Sequence, residues 1–371
     1  VKVLVWQWGR RGAGPRIAVE LAEAMRHLPG VQGLLSLSDR AEMLAGPSPP
    51  VCDLPVATYG DMSGFLWRLA QAPAIVLWLN RQLRALRPDL AVCAMPGPLD
   101  MLMIVALRHR RIPFVVVVHD ADSHPGDILP MMIKLQRAIV RRADGLVTLS
   151  AHVADRLREQ GLVRPRVPLA VIGHPPFHFG PLPPPPFAHD GPVRLLFFGR
   201  LLAYKGLDLL AEALRLLGPH DGFETRVVGS GPESPALAAL RRLPGVAVEN
   251  RWVPDDEIGA VVAWSDALVL PYREASQSGA AAAAIAARRY VVATRVGGLI
   301  EQLKDEPLAE LCDPEPAALA AALQSLTKQR ETSAAGMSCQ EQSSRSWSHF
   351  ARAILDLTVG ASPGGGPPLQ S

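Results

Sequence analysis

Arg200 and Lys205 sit together in "FFGRLLAYKG", directly after an apolar run, and Gly206 follows them. A guanidinium meets phosphate oxygens as a fork, and a lysine adds a mobile point charge, so this pair suits a diphosphate. A second segment, "LPYREASQSGAAAAAIAARRYVVAT", places Ser276, Gln277, Ser278 and Gly279 where an alanine-rich helix begins. The first turn of a helix carries unpaired N–H groups and a partial positive charge, which together hold an anion. Gly279 would let a ligand approach the backbone, and the two serines can donate hydroxyl hydrogen bonds. Serine and glycine also serve there as an ordinary helix cap. "VVGSGPE" adds a further glycine turn with Gly229 and Gly231, and Gly199 precedes Arg200.

Two further segments lie in the first half. "GRRGAG" sets Arg10, Arg11, Gly12, Ala13 and Gly14 after the first apolar run. Its spacing is GxxGxG, not the GxGxxG of dinucleotide binders, so it points to close approach of a phosphate or sugar rather than to a nicotinamide. His119 and Asp120 end "PFVVVVHD", with His124 and Asp127 just beyond. A histidine there can hydrogen-bond a sugar hydroxyl or a phosphate and exchange a proton near neutral pH. A structural histidine and a cation cluster are the other readings, and the spacing matches no tight metal motif.

The elements that carry these segments alternate between short β-branched runs and helical periodicity. In the first half "KVLVW", "LAVCAM", "PFVVVV" and "GLVTLS" read as strands, each followed by a helical stretch, and Ser150 is placed to cap one of them. This is the pattern of βαβ units on a parallel sheet. The proline density of residues 174–192 permits neither a helix nor a central strand, so this stretch reads as a linker. Alternation restarts at "RLLFFG" and runs through helices at 206–217, 234–243 and 255–265 to "YVVAT". The expected division is a doubly wound α/β domain over 1–173, the linker, a second over 193–335, and a C-terminal helix near 346–359 with a disordered tail in 336–371. Two such domains set a cleft between the carboxyl ends of their strands, and polar residues just after strands carry most weight.

The 371 residues exceed one ordinary core, and 49% hydrophobic with 20% charged residues fits a soluble globular protein. The four cysteines form no CxxC pair, which fits a reducing cytosol, and no apolar run is long enough to cross a bilayer. The N-terminus reads as a first strand and not as a signal peptide. Residues 1–170 hold 21 Lys+Arg against 14 Asp+Glu, leaving 17 against 21 for the remainder. The basic half contains two amphipathic stretches, 64–87 with Trp67, Trp78 and four arginines, and 131–142. Contact with an anionic membrane surface is expected there, where a lipid-linked acceptor would lie. Nucleic-acid binding is not expected, because the charge is modest and no aromatic–basic stripe appears.

Taken in order, the glycine loop, the strand-end histidine, "GR…YKG", "GSGPE", "LPYRE…SG" and "VVAT…VGG" resemble the retaining glycosyltransferases of family 4, with the GT-B fold. The resemblance covers residues 1–330, most specifically 194–301. It implies a nucleotide-diphosphate sugar donor held by the second domain, a saccharide or lipid-linked acceptor at the first, and no metal or other cofactor. By it, Arg200 and Lys205 neutralise the diphosphate, and Gly12, Ala13 and Gly14 lie against phosphate or acceptor. His119 sits beside the transferred sugar, and Trp252 and Val253 lie in the base-binding segment. The family signature has two glutamates eight residues apart. Aligned back from "VVAT", the second falls on Ala283, and Glu274 stands one residue before the first. A catalytically silent binding subunit and a sugar-nucleotide epimerase are the alternative readings.

Overall fold

A computed structural model describes residues 1–122, 130–218, 222–332 and 346–359. His124 and Asp127, and the stretches 333–345 and 360–371, lie outside the described residues. The chain separates into two units, the first with residues 1–121, 130–173 and 346–359, the second with 174–218 and 222–332.

The first unit runs β1 (Lys2–Gln7), α1 (Ala13–Arg26), β2 (Gln32–Leu37), α2 (Met62–Ala70), α3 (Ala72–Leu86), β3 (Leu90–Cys93) and α4 (Asp100–Arg110). It continues with β4 (Phe114–Val118), α5 (Pro130–Val140), β5 (Gly145–Thr148), α6 (Ala151–Glu159) and β6 (Leu169–Val171). The six strands lie parallel in the order β2-β1-β3-β4-β5-β6. "FVVVV" is buried along its whole length because helices cover both faces of such a sheet. Trp6 and Phe114 meet in the core at 6.2 Å between centroids. Ser150 caps α6 as its position suggests, accepting from the Val153 N–H.

The second unit comprises β7 (Val193–Phe198), α7 (Leu207–Leu217), β8 (Phe223–Gly229), α8 (Pro235–Leu240), β9 (Val246–Asn250), α9 (Asp255–Trp264) and β10 (Ala267–Leu270). Then come α10 (Gly279–Ala286), β11 (Tyr290–Thr294), α11 (Gly297–Leu303), β12 (Ala309–Cys312) and α12 (Pro316–Thr332). Its sheet is also parallel, ordered β12-β11-β10-β7-β8-β9. The last helix, α13 (Trp347–Val359), packs on α1, β5 and β6 and so completes the first unit, not the second. A side chain at Gly145 would press on Leu357, so the strand is pared back to admit this helix.

The proline-rich residues 174–192 form no helix or strand, yet they are fastened along the second unit. Phe177 donates its N–H to the Ala282 carbonyl (3.1 Å), and Arg289 reaches the Pro184 carbonyl (2.7 Å). The buried Asp266 carboxylate accepts from the Phe187 and Arg194 N–H groups at 2.6 and 2.8 Å and faces His189 Nε2 at 2.9 Å. Prolines have no N–H to give, so the segment is held by N–H groups of its other residues, Phe177 and Phe187, and by the Arg289 side chain donating to a proline carbonyl.

Candidate functional site

In a doubly wound sheet the ligand crevice lies outside the carboxyl ends of the strands, where the strand order reverses. In the second unit that point is between β7 and β10, because β8 and β9 extend one way and β11 and β12 the other. Their pairing ends at Leu196↔Leu268, two residues short of each strand's end. The loops that leave these strands are the two strongest segments of the sequence: Gly199–Gly206 and Pro271–Ser278.

Contacts weld the two loops together. Arg273 donates its N–H to the Tyr204 carbonyl at 2.8 Å. Gly206 has φ +66°, and a Cβ there would stand 1.7 Å from the Pro271 carbonyl oxygen, so only glycine permits the approach. The Arg200 guanidinium donates to the Tyr204 hydroxyl at 2.7 Å. Lys205 Nζ lies 3.6 Å from the Tyr272 ring centroid and 4.9 Å from that of Tyr204. The exposed Arg273–Asp208 pair at 2.6 Å links the same loop to α7. Both basic residues thus contact the tyrosine pair, and Tyr272 in turn meets Ser278 at the start of α10.

Ser278 shapes that helix start. Its Oγ accepts from the Ala281 N–H at 3.2 Å and meets the Tyr272 hydroxyl at 3.2 Å. The Gln302 side chain takes both main-chain groups of Ser278, at 2.8 and 2.9 Å. The Ser278 hydroxyl thus caps α10, and by accepting from the helix it fixes the shape of the loop. Gly279 opens α10 against Phe177, Ser276 is buried, Gln277 is half-buried and Glu274 is exposed.

Gly229 and Gly231 are closely packed: a Cβ on either would strike the Gly199 or Leu201 carbonyl, at 1.7 and 2.3 Å. Their bareness lets the loops after β7 and β8 touch. Asn250 holds Gly231 through its N–H and C=O, each at 3.1 Å. It also donates to Glu233, which Arg241 grips at 2.5 and 2.9 Å, and these donors hold the Glu233 carboxyl down at about 2. Trp252 is partly exposed beyond β9, whereas Val253 is buried in the core.

In the first unit the strand order reverses between β1 and β3. Gly12, with φ +84°, precedes α1; Ala13 and Gly14 begin it. Gly14 is buried against Gln7, whose Oε1 accepts the Gly9 N–H at 2.7 Å. Arg10 and Arg11 are exposed, and Arg11 lies 3.4 Å from Glu42. His119, buried, donates from Nε2 to the Ala94 carbonyl at 2.9 Å in the loop after β3. Burial lowers its pKa, opposed by the Ala94 hydrogen bond and by Asp120, so a neutral ring is favoured. The Asp120 carbonyl accepts from Gln136.

Four residues that shape these sites were not singled out from the sequence. Asp100 is fully buried and accepts from the Gly97 N–H (2.7 Å) and the Cys93 thiol (3.3 Å). Burial pushes its carboxyl up to about 7, against the pull of Gly97, Cys93 and Trp6. Gln7 directly precedes the glycine loop and could have been found by the strand-end rule. Tyr272 reads as one more apolar residue, and Gln302 lies 24 positions from its partner. Among the described residues no three His, Cys, Asp or Glu side chains gather to hold a metal ion.

The family model described as glycosyl transferases group 1 matches residues 192–329, and that described as a glycosyl transferase 4-like domain matches 11–175. Glycogen synthase of Mycobacterium tuberculosis is 30% identical over 229 residues, 58% of this chain and 54% of that protein. The chain spans about half the length of the curated relatives it matches. Among solved structures, Anabaena HepE in complex with UDP and glucose aligns at TM-score 0.65 with 16% identity, over 96% of this chain and 97% of that one. UDP-GlcNAc 2-epimerase from Neisseria meningitidis aligns at 0.60 with 10% identity, over 97% and 100%. These likenesses show the GT-B fold, and with both family models matched the chain belongs to the group 1 glycosyl transferases.

Proposed function

We propose that this chain transfers a glycosyl group from a nucleoside-diphosphate sugar to a hydroxyl of a saccharide or lipid-linked acceptor, with retention and without a metal. The observation that carries the reading is the meeting of Arg200, Lys205 and the start of α10 at the point where the second sheet reverses its strand order. As the bond from the anomeric carbon to the phosphate oxygen breaks, negative charge grows on the diphosphate. Fixed cations and helix N–H groups stabilise that charge without reorganising. The acceptor oxygen bonds the anomeric carbon from the same face and passes its proton to the departing phosphate oxygen, so no carboxylate nucleophile is needed. The first unit binds the acceptor in this reading, and the neutral His119 ring hydrogen-bonds sugar hydroxyls. Synthesis of a cell-surface polysaccharide or glycolipid, in the cytoplasm or at the inner face of the membrane, is the role this chemistry fits.

A second reading draws on Ala283, which is 2% exposed where the family signature has a glutamate. On that reading the chain is a silent subunit that binds donor without turning it over. The epimerase reading has no such observation, since likeness to an epimerase at 10% identity concerns fold alone.

One experiment separates them. The full chain is screened against nucleotide sugars by thermal shift, where a donor at 100 times its dissociation constant adds about 2.7 kcal/mol. The best donor is then incubated with and without EDTA, and its products are followed by NMR. Slow donor hydrolysis is expected, unchanged by EDTA, and Arg200→Ala is expected to weaken donor binding about 10- to 100-fold. Binding without turnover would favour the silent subunit, interconversion of sugars the epimerase, and no binding by any donor would overturn the proposal.

A further inference from the structure

We infer that Tyr272, with Tyr204 beside it, is a positioning residue that holds Lys205 toward the anion bound between the loops after β7 and β10. The inference rests on reading those loops as a diphosphate site. It adds how the lysine is aimed.

A lysine on a loop has four rotatable side-chain bonds, and most of its rotamers point away from any one ligand. Here its ammonium lies 3.6 Å from the Tyr272 centroid and 4.9 Å from that of Tyr204. The negative face of an aromatic ring attracts a cation, so the rings supply a place for the charge before any ligand arrives. Tyr272 can act as a fixed plate because it is 1% exposed and held at its ends. Its carbonyl accepts from Thr294 Oγ1 at 2.5 Å, and its hydroxyl meets the capping Ser278. Tyr204 is fixed by the Arg273 N–H on its carbonyl, and its hydroxyl oxygen accepts from Arg200. The two tyrosines therefore tie both cations to the start of α10 in one framework. Burial pushes the Tyr272 phenol up, which keeps the plate neutral beneath the lysine.

Inorganic pyrophosphate is the probe, titrated calorimetrically into the full chain. Tyr272→Phe keeps the ring and should bind within about twofold of the parent. Pentafluorophenylalanine at position 272 keeps the shape but removes the negative face, and should bind about tenfold more weakly. Tyr272→Leu should cost a similar factor, and no further loss should follow when it is added to Lys205→Met. Equal affinity for the phenylalanine and pentafluorophenylalanine forms would overturn the inference, because the ring would then act by packing alone. So would an undiminished effect of Tyr272→Leu without the lysine. If the parent binds neither pyrophosphate nor UDP, the reading of the site falls and the inference with it. Binding that ignores fluorination sinks the inference only.

Discussion

At the scale of residues, the first unit contains two buried titratable groups whose effects on stability oppose each other. His119 has a lowered pKa, chiefly from burial, so the unfolded chain takes up its proton first. Its contribution is present above the ordinary histidine value near 6.5 and is lost as pH falls below it, by at most about 1.4 kcal/mol per pH unit. Asp100 is raised to about 7, again by burial. Its contribution is present below the ordinary aspartate value and is lost as pH rises toward 7. His119→Gln should thus reduce the loss of stability between pH 6.5 and 5, and Asp100→Asn should remove the loss between pH 4 and 7. Denaturant melts of the two variants across that range check both signs, and a parallel pH dependence in all three proteins would contradict them. The sequence made His119 visible because it directly ends an apolar strand. Asp100 stayed hidden because it stands seven positions beyond Cys93, the strand residue it binds. Ser278 was legible as a cap or as a ligand donor, and its contact with the Ala281 N–H shows the cap.

At the scale of elements, the candidate site of the second unit depends on how closely two loops approach. Gly206 lies in the left-handed region, and the place of its side chain is filled by main chain of the loop after β10. Gly206→Ala must adopt an unfavourable conformation, costing about 1–2 kcal/mol, and must also push Pro271 away. A loss of more than about 2 kcal/mol in the unfolding of the second unit is expected, together with weaker nucleotide binding. A variant as stable as the parent would show that the loops can part freely. Central elements were readable because β1, β4, β7 and β10 are short, apolar and bounded by turn residues. The edge strands β2, β6 and β12 were not: "QGLLSL", "LAV" and "AELC" are short or mixed, and β6 and β12 are only partly buried. An edge strand is specified by its neighbour's unpaired main chain more than by its own pattern. The stretch 64–87 reads as one amphipathic segment but forms two helices, with Gln71 ending α2 and preceding α3.

At the scale of the whole molecule, one surface of the first unit has a composition that folding does not require. Helix α2 has no buried residue; Leu66 and Trp67 are 59% and 64% exposed. On α3, Leu79 and Leu83 are buried, while Leu77, 63% exposed, shares the outer face with Arg81 and Arg84. No described helix is long and apolar enough to cross a membrane. Large apolar side chains interleaved with arginines are what an interfacial helix presents to anionic lipid: the rings enter the headgroup region and the guanidinium groups stay with the phosphates. We propose that this face rests on such a surface, which would bring a lipid-linked acceptor to the first unit. The full chain should then float with vesicles containing phosphatidylglycerol and not with neutral phosphatidylcholine vesicles, and added salt should weaken the binding. Leu66→Ser with Trp67→Ser should reduce flotation about tenfold or more and leave the melting temperature within a degree or two, because neither side chain supports the core. Equal recovery with neutral and anionic vesicles, or undiminished binding by the double variant, would assign the exposed rings to some other contact and leave the acceptor without a lipid anchor.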